Sequence, residues 1–197
     1  MFGLSNGLRG VYEDQKCPVL RPRLLRQLSA DIQTLLIDIT DLAWLVNDTS
    51  TKDRRKLNGL PFHDYLLLLG YRLIYTSPLG GLRPINYVEN VVHLGLTSFI
   101  VTFLRGYDRQ ITNIPILPEL ARSAAQEHFD SEQENQELLL WTLFIGAASI
   151  FRPSDDAWSI PKTTQAMHVP DLYTWEDVVR TLVNFPCWLH WTSQSPP

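Results

Sequence analysis

Apolar residues recur every three or four positions along much of the chain, a spacing that places them on one face of an α-helix. The longest such pattern covers residues 22–46 and predicts one amphipathic helix with Pro22 near its first turn. Shorter patterns predict helices over residues 61–76, 84–105 and 118–128. No stretch of any length alternates between apolar and polar residues as a half-buried strand does, so the sequence predicts an all-α protein.

The most apolar of the predicted helices covers about residues 131–151. Ser131 and Glu134 have the three-residue spacing of a capping box, which places the start of this helix there. Pro153 is expected to end it. A last helix is predicted over residues 175–185, because a threonine that can cap a helix is followed by acids in the first turn.

The segments between these helices carry loop and turn signals. Residues 47–51, with the sequence NDTST, have the composition of a loop. The stretch TKDRRKL that begins at Thr51 is interpreted as a short basic hinge. The stretch PLGGL, which begins at Pro78, contains two glycines but no Lys-Ser or Lys-Thr after them, so it is a turn rather than a phosphate loop.

The length of 197 residues and the hydrophobic content of 45% predict one domain with a single core. We expect this domain to cover residues 21–191 and to consist of about six to eight helices packed around the buried helix at 131–151. Residues 1–20 are expected to form an N-terminal extension and residues 192–197 a disordered tail.

Two apolar runs raise the question of a membrane span. The run at residues 138–151 and the run at residues 91–104 each have 14 residues, whereas a helix needs about 20 to cross a bilayer. We therefore expect both to be buried helices of a protein that does not bind a membrane.

The charge and the cysteines exclude further classes. The net charge of −4 gives no general attraction for nucleic acid. Cys17 and Cys187 are the two cysteines of the chain, too few for a disulfide scaffold, so a reducing compartment is expected. The N-terminal residues have no apolar stretch long enough for a secretory signal.

Three pairs of residues have part of the pattern of a chemical site: Cys187 with His190, His63 with Asp64, and Asp155 with Asp156. The first pair has the spacing of two zinc ligands on one helical turn, but a structural zinc ion needs four. Neither of the other two lies beside a nucleophile motif, and the acids are interpreted as helix-start or loop residues. We expect no enzyme, no catalytic residue and no cofactor or metal bound to this chain.

Two charged segments have alternative interpretations. The stretch TKDRRK could be a nuclear localisation element or a phosphate-contacting patch, although a solvated loop is favoured because the run is short. The segment at residues 119–137 holds six acids against Arg122 alone. It could attract a basic partner, although the flank of a solvated helix is favoured.

Five of the six tryptophans lie in the last 57 residues of the chain: Trp141, Trp158, Trp175, Trp188 and Trp191. Aromatic clusters can line a ligand pocket or form the centre of an interface. The composition favours packing in the core instead.

The order of these tryptophan motifs resembles a known family. The stretches ELLLWTLFIGAASIF, DDAWSI and YTWEDVVRTLVNFPCW are similar to the C-terminal part of the fungal-specific transcription factor domain. The stretch VENVVHLGLTSFIVTFLR also resembles the middle helix of that family. The resemblance covers roughly residues 25–191 and is strongest from residue 138 onward.

The resemblance implies that certain positions have a structural or partner-binding role: Trp141, Gly146, Trp158, Trp175, Glu176 and Trp188. Two departures affect this assignment. The sequence has Asp156 and Ser159 around its tryptophan where relatives tend to have Arg-x-Trp-Phe. Pro186 and Cys187 interrupt the usual Phe-x-Trp ending.

The family's domain is the regulatory or effector region that usually follows a binuclear zinc cluster, so the resemblance implies modulation of RNA polymerase II transcription in a fungal nucleus. The implied partners are the transcription machinery, co-regulator proteins or a small-molecule effector, and a homodimer is compatible with the sequence. The zinc cluster needs six closely spaced cysteines, so zinc is implied only if an upstream cluster exists, and no direct DNA binding by this chain is expected. The chain would then be either a fragment or a free-standing effector module. The alternative is a helical protein-interaction or ligand-binding module unrelated to transcription.

Overall fold

The computed structural model describes residues 22–51, 59–107, 114–126 and 132–186. Within these ranges the chain forms eight α-helices and one short 3₁₀ helix, with no β-strand, which confirms the predicted all-α fold. The α-helices are α1 (Pro22–Arg26), α2 (Ala30–Thr51), α3 (Gly59–Thr76), α4 (Tyr87–Tyr107), α5 (Ile116–Gln126), α6 (Gln133–Ser149), α7 (Asp156–His168) and α8 (Trp175–Leu182). The 3₁₀ helix, Pro153–Asp155, directly precedes α7.

The helices α4 and α6 form the centre of the domain and make the most extensive helix–helix contact in it. Against α4 pack α2 and α3, and against α6 pack α7 and α8, while α5 contacts both central helices. Of the 17 residues of α6, 12 are buried. The prediction of a buried central helix is therefore confirmed, with α4 as its equally buried neighbour.

The prediction of one helix over residues 22–46 is wrong, because the chain turns between α1 and α2. The carboxylate of Glu89 on α4 accepts hydrogen bonds from the backbone N–H of Ser29, at 2.7 Å, and from its hydroxyl, at 3.0 Å. The side chain of Gln33 donates to the backbone oxygens of Leu25 and Leu28. These bonds satisfy the backbone groups that the break leaves free.

The loop predicted over residues 47–51 is also wrong, because α2 continues as a helix to Thr51. Asn47 is buried, so its packing against the domain offsets the weak helix propensity of asparagine. Farther back along α2, Asp38 forms an ion pair with Arg72 of α3 that joins these two helices. Residues 52–58, which include most of the basic stretch TKDRRKL, lie outside the described residues.

The helix α4 begins at Tyr87 rather than at Pro84. Asn86 acts as its N-terminal cap, since its side-chain oxygen accepts the backbone N–H of Val88 at 3.0 Å. Its side-chain nitrogen donates to the backbone oxygen of Gln27, which ties the start of α4 to the α1–α2 turn. The glycine-containing segment before it forms the predicted turn.

The boundaries of α6 differ slightly from the prediction. Its N-cap position is Glu132, whose side chain makes no capping hydrogen bond, and Ser131 of the predicted capping box lies outside the described residues. The helix ends at Ser149, four residues before the proline that was expected to end it. Pro153 begins the 3₁₀ helix instead.

The sequence patterns missed α7 altogether. This helix contains Pro161, and its buried residues are Ser159 and Ala166, so its sequence has neither an apolar face nor an uninterrupted run of helix formers. The predicted threonine cap at the start of α8 is present, since the hydroxyl of Thr174 accepts the backbone N–H of Asp177 at 3.1 Å. This last helix ends at Leu182, three residues earlier than predicted.

In the described part of the chain, α4 is the one helix long and apolar enough to span a membrane by length and composition. The length argument made from residues 91–104 was therefore too narrow, because the helix extends back to Tyr87. Its apolar window, Tyr87–Leu104, is 72% buried inside the domain by the surrounding helices. A core helix of a helical protein has this combination of length, composition and burial.

Candidate functional site

Each tryptophan of the motifs that the structure describes packs against a phenylalanine on or near α6. The pairs are Trp141 with Phe185 (ring centroids 5.4 Å apart), Trp175 with Phe144 (5.8 Å) and Trp158 with Phe151 (5.0 Å). Separations of this size are typical of favourable aromatic pairs. The three motifs therefore meet around the C-terminal half of α6, and core packing, the interpretation favoured from composition, is the arrangement found.

Trp141 lies at the centre of this cluster. It has 0% of its surface exposed, and its indole N–H donates to the backbone oxygen of Pro186 at 2.8 Å. Its ring is nearly parallel to that of Phe185, with 18° between the planes. These contacts hold the segment after α8 onto α6, and they leave Trp141 no surface with which to contact a partner.

The six-membered ring of the Trp141 indole packs against Gly95 on α4. A Cβ atom added to Gly95 would lie 2.2 Å from Cζ3 and 2.6 Å from Cη2 of Trp141, closer than any real Cβ contact. Glycine in the middle of a helix costs up to about 1 kcal/mol relative to alanine, so its presence in α4 has a packing reason. Sequence reasoning missed this residue, although a glycine inside an apolar helical pattern is the signal that could have found it.

Gly146, one of the positions implied by the resemblance, is buried on α6. The nearest atoms to a Cβ added to Gly146 belong to the ring of Phe151, at 2.5 Å. The glycine therefore accommodates the aromatic ring of its own chain, two residues past the end of α6, and that ring then meets Trp158.

Trp158 is half-buried on α7 and has polar neighbours. Its indole N–H donates to Asp155 at 3.3 Å, and the guanidinium carbon of Arg122 lies 5.8 Å from its ring centroid. The carboxylate of Asp155 also accepts the backbone N–H of Arg152 at 2.8 Å. Asp155 thus caps the first turn of the 3₁₀ helix, and Asp156 is the first residue of α7, which confirms the helix-start interpretation of these acids.

Among the positions implied by the resemblance that the structure describes, Glu176 is the most accessible. Its side chain is 85% exposed and lies 3.5 Å from Arg180, one turn later on α8. Beside it, the hydrogen bond from Thr174 lowers the pKa of the Asp177 carboxyl group. An exposed pair of this kind adds little stability, so Glu176 is available for contact with a partner. Trp188, the remaining position, lies outside the described residues.

Of the other two predicted chemical pairs, the structure describes one. His63 and Asp64 lie in the first turns of α3, with Nδ1 and the carboxylate oxygen 3.9 Å apart. Cys187 and His190 lie outside the described residues, as does Cys17. In the portion of the chain that the structure describes, no three histidine, cysteine or acidic side chains come together as metal ligands do.

A buried histidine on α4 forms a polar network that the sequence did not predict. The ring nitrogen Nε2 of His93 lies 2.9 Å from the backbone oxygen of Leu73, and Nδ1 lies 3.0 Å from Nη2 of Arg83. Because a guanidinium can only donate, Nδ1 accepts and Nε2 carries the proton. Arg83 also donates to Asn90 at 3.0 Å, so the network fixes the α3–α4 connection to α4.

The burial of this network sets its response to pH. Burial, with a smaller contribution from the charge of Arg83, lowers the pKa of His93 from 6.5 to about 4, against the raising effects of Leu73 and Glu89. Below pH 6.5 the unfolded chain therefore binds a proton that the folded chain excludes until about pH 4. This difference makes the folded state progressively less stable between these two pH values, by up to about 3 kcal/mol.

We predict that His93→Gln reduces the loss of stability on acidification. In urea titrations, the free energy of unfolding of the variant should fall by about 2 kcal/mol less than that of the unsubstituted chain between pH 7 and pH 5. The control is His168→Gln, which removes an exposed histidine at the end of α7. An equal pH dependence for the unsubstituted chain and His93→Gln would contradict the assignment of a depressed pKa to this residue.

The acidic segment at residues 119–137 is not uniformly solvated. Glu119 on α5 is exposed, whereas Asn135, Gln136 and Glu137 in the first turns of α6 are buried. Glu137 accepts a hydrogen bond from the side chain of Gln133 at 2.9 Å. The favoured interpretation of a solvated flank is therefore wrong for the start of α6, where packing against the domain buries polar side chains.

One helix carries a large apolar surface that the other described helices do not cover. The outward face of α3, here called the α3 apolar face, consists of Leu60, Leu67, Leu68, Tyr71, Ile74 and Tyr75, with exposed fractions between 37% and 91%. The opposite side of α3 is buried by Leu66, Leu69 and Leu73. Since the sequence YLLLLGYRLIY is apolar on both sides, periodicity alone could not tell which residues face the core.

Comparisons with known proteins identify no relative of this chain. No protein-family model matches the chain, and no curated protein or solved structure matches it either. The interpretation of its function therefore depends on its own residues and contacts and on the motifs in its sequence.

Proposed function

We propose that this chain is the regulatory or effector domain of a fungal transcription factor. It acts in the nucleus by binding co-regulator proteins, the transcription machinery or a small-molecule effector, and not by catalysis. The observation that carries the proposal is the order of the tryptophan motifs, with Trp141, Trp158 and Trp175 on three successive helices. The pairing of these residues with phenylalanines around α6 supports it, since it gives the motifs a common packing role.

The location of the motif residues limits how such a domain would contact a partner. Trp141 is enclosed, so substitutions there act through folding. Glu176 and the α3 apolar face lie at the surface, where a protein partner can reach them. Partner contacts of the domain are therefore assigned to its surface, and the tryptophan cluster is assigned to its stability.

The proposal is tested by tethering the chain to the promoter of a reporter gene. We predict that the chain, fused to an unrelated DNA-binding domain in fungal cells, changes transcription of a reporter with the matching binding site at least several-fold. The DNA-binding domain alone is the control, and Glu176→Ala provides a surface variant whose stability should change by less than about 0.5 kcal/mol. Reporter output equal to that of the DNA-binding domain alone would contradict the proposal. So would binding of the purified chain to specific DNA by itself at physiological salt.

A second candidate is a helical protein-interaction module with no role in transcription. The observation that favours it is the α3 apolar face, because exposed apolar patches of this kind mark protein-binding surfaces whatever the process. The two candidate functions predict different locations of the protein in the cell. Exclusive cytoplasmic localisation of the natural gene product would favour the second, and accumulation in the nucleus would favour the first.

A further inference from the structure

The α3 apolar face is too large to be an ordinary feature of a monomer surface. Its six residues together expose on the order of 700 Å², given that a fully exposed aromatic side chain offers about 150–250 Å². The largest apolar patch on a typical monomer covers about 300–600 Å². A standard protein–protein interface buries about 800 Å² on each partner, so this single face supplies nearly all that one partner needs.

The α3 apolar face carries few charged residues, as is typical of the centre of a protein–protein interface. Along the exposed strip of α3, between Leu60 and Tyr75, Asp64 is the one charged residue. The nearest cation, Arg72, lies at the edge of the strip and forms an ion pair with Asp38 of α2. Charged residues are depleted at interface centres, while aromatic residues such as tyrosine are enriched there.

The spacing of the exposed residues is self-complementary when two copies of α3 lie antiparallel. If the two-fold axis passes between Leu67 and Leu68, each of these residues lies opposite the other in the second copy. Asp64 then lies opposite Tyr71, whose phenol can donate to the carboxylate. Leu60 lies opposite Tyr75 in the same way, because the two residues of each pair are equally distant from the axis, on opposite sides of it.

A parallel arrangement is disfavoured by the same residues. It would place Asp64 of one copy opposite Asp64 of the other, and like charges facing each other in an apolar interface repel strongly. The antiparallel arrangement also forms a closed two-fold pair, the most common symmetry among soluble oligomers. No further surface is needed to complete it.

We propose that the α3 apolar face binds the same face of a second copy of this chain, in an antiparallel two-fold dimer centred between Leu67 and Leu68. The occupant is a second copy because the area is what each half of a stable dimer needs and the single charge finds a donor in this arrangement. The inference does not depend on the proposed function, since it follows from α3 alone. It would hold equally for a transcription effector and for an interaction module.

The first test is the mass of the full-length chain in sedimentation experiments over a wide range of concentration. We expect a dimer of twice 22.6 kDa, and we expect Leu68→Asp to raise the dissociation constant at least tenfold, because it places two carboxylates at the centre. The matched control is Ile160→Asp, which changes a similarly exposed isoleucine on α7 and should leave the dimer intact. A monomer at every concentration, or a dimer equally unaffected by both substitutions, would overturn the proposal.

The second test measures the direction of the pairing by disulfide formation. In a background with Cys17→Ser and Cys187→Ser, chains with Leu60→Cys and chains with Tyr75→Cys are oxidised separately and as a mixture. We expect efficient cross-linking in the mixture only, because like positions in the antiparallel dimer lie about 22 Å apart along the helix axis. Efficient cross-linking of Leu60→Cys chains alone would indicate a parallel pair and overturn the proposal.

The N-terminal segment, residues 1–21, is the competing occupant of the α3 apolar face. Its deletion distinguishes binding of this segment from binding of a second copy. If the chain without residues 1–21 dimerises while the full-length chain stays monomeric, the segment covers the α3 apolar face and the proposed dimer of the intact chain is wrong. If both forms dimerise with the same sensitivity to Leu68→Asp, the second copy is the occupant.

Discussion

Gly95→Ala is expected to destabilise the domain by about 3 kcal/mol or more. The added methyl group would lie 2.2 Å from Trp141, which is itself held by its stack on Phe185 and its hydrogen bond to Pro186. Overpacking a core usually costs about 1–3 kcal/mol and more where the neighbour cannot move, as for this enclosed indole ring. The measurement is the free energy of unfolding from urea titrations followed by circular dichroism.

The matched control for this prediction is Gly70→Ala on α3. A Cβ atom there would have its nearest neighbour at 3.9 Å, on Ile100, so it meets no obstacle. Removing a glycine from the interior of a helix should then stabilise the protein by up to about 1 kcal/mol. Equal effects of the two substitutions would show that Gly95 does not limit the approach of α4 to α6, and would contradict the packing described above.

Trp141→Ala is expected to cost about 3–5 kcal/mol, the range found for removing a buried aromatic side chain. The substitution leaves a cavity between α4 and α6, removes the stack with Phe185 and takes away the donor to Pro186. Trp141→Phe should cost less, because it keeps an aromatic ring in the cluster. The remaining cost is about 1–3 kcal/mol, because the backbone oxygen of Pro186 loses its hydrogen-bond donor.

The control for Trp141 is Trp44→Ala on α2. That side chain is 36% exposed, so its truncation removes less buried surface and should cost about 1 kcal/mol. Combining Gly95→Ala with Trp141→Ala provides a further check, since the cavity left by the indole can accept the new methyl group. The double variant should lose less stability than the sum of the two single losses, and strict additivity would argue against direct contact.

The long helices could be predicted from sequence because each contains many apolar residues, which recur every three or four positions in α2 and form a nearly continuous run in α6. The helix α8 was located by the cap residue Thr174 and the acids that follow it. The start of α2 was missed because its break depends on Glu89, which is 60 residues away along the chain. The helix α7 was missed because tertiary packing, rather than amphipathic patterning, holds a segment that contains Pro161.

The candidate site was predictable in its residue types and not in its geometry. The motif tryptophans were recognisable from their order, and the structure gives Trp141, Trp158 and Trp175 each a phenylalanine partner that the sequence could not identify. The packing role of Gly95 depends on Trp141, which lies on another helix. The α3 apolar face could not be separated from the core face, because leucines occupy both sides of that helix.

We propose that the folded helical domain, built on α4 and α6, is the part of the chain that acts on transcription. The measurement that tests it most directly is the tethered reporter assay applied to the glycine pair, with the amount of each fusion protein matched by immunoblot. We predict that Gly70→Ala keeps the reporter output of the unsubstituted chain and that Gly95→Ala loses most of it, because only the latter disrupts the α4–α6 contact. Full output from Gly95→Ala would contradict the claim, as would the absence of any output from the unsubstituted chain.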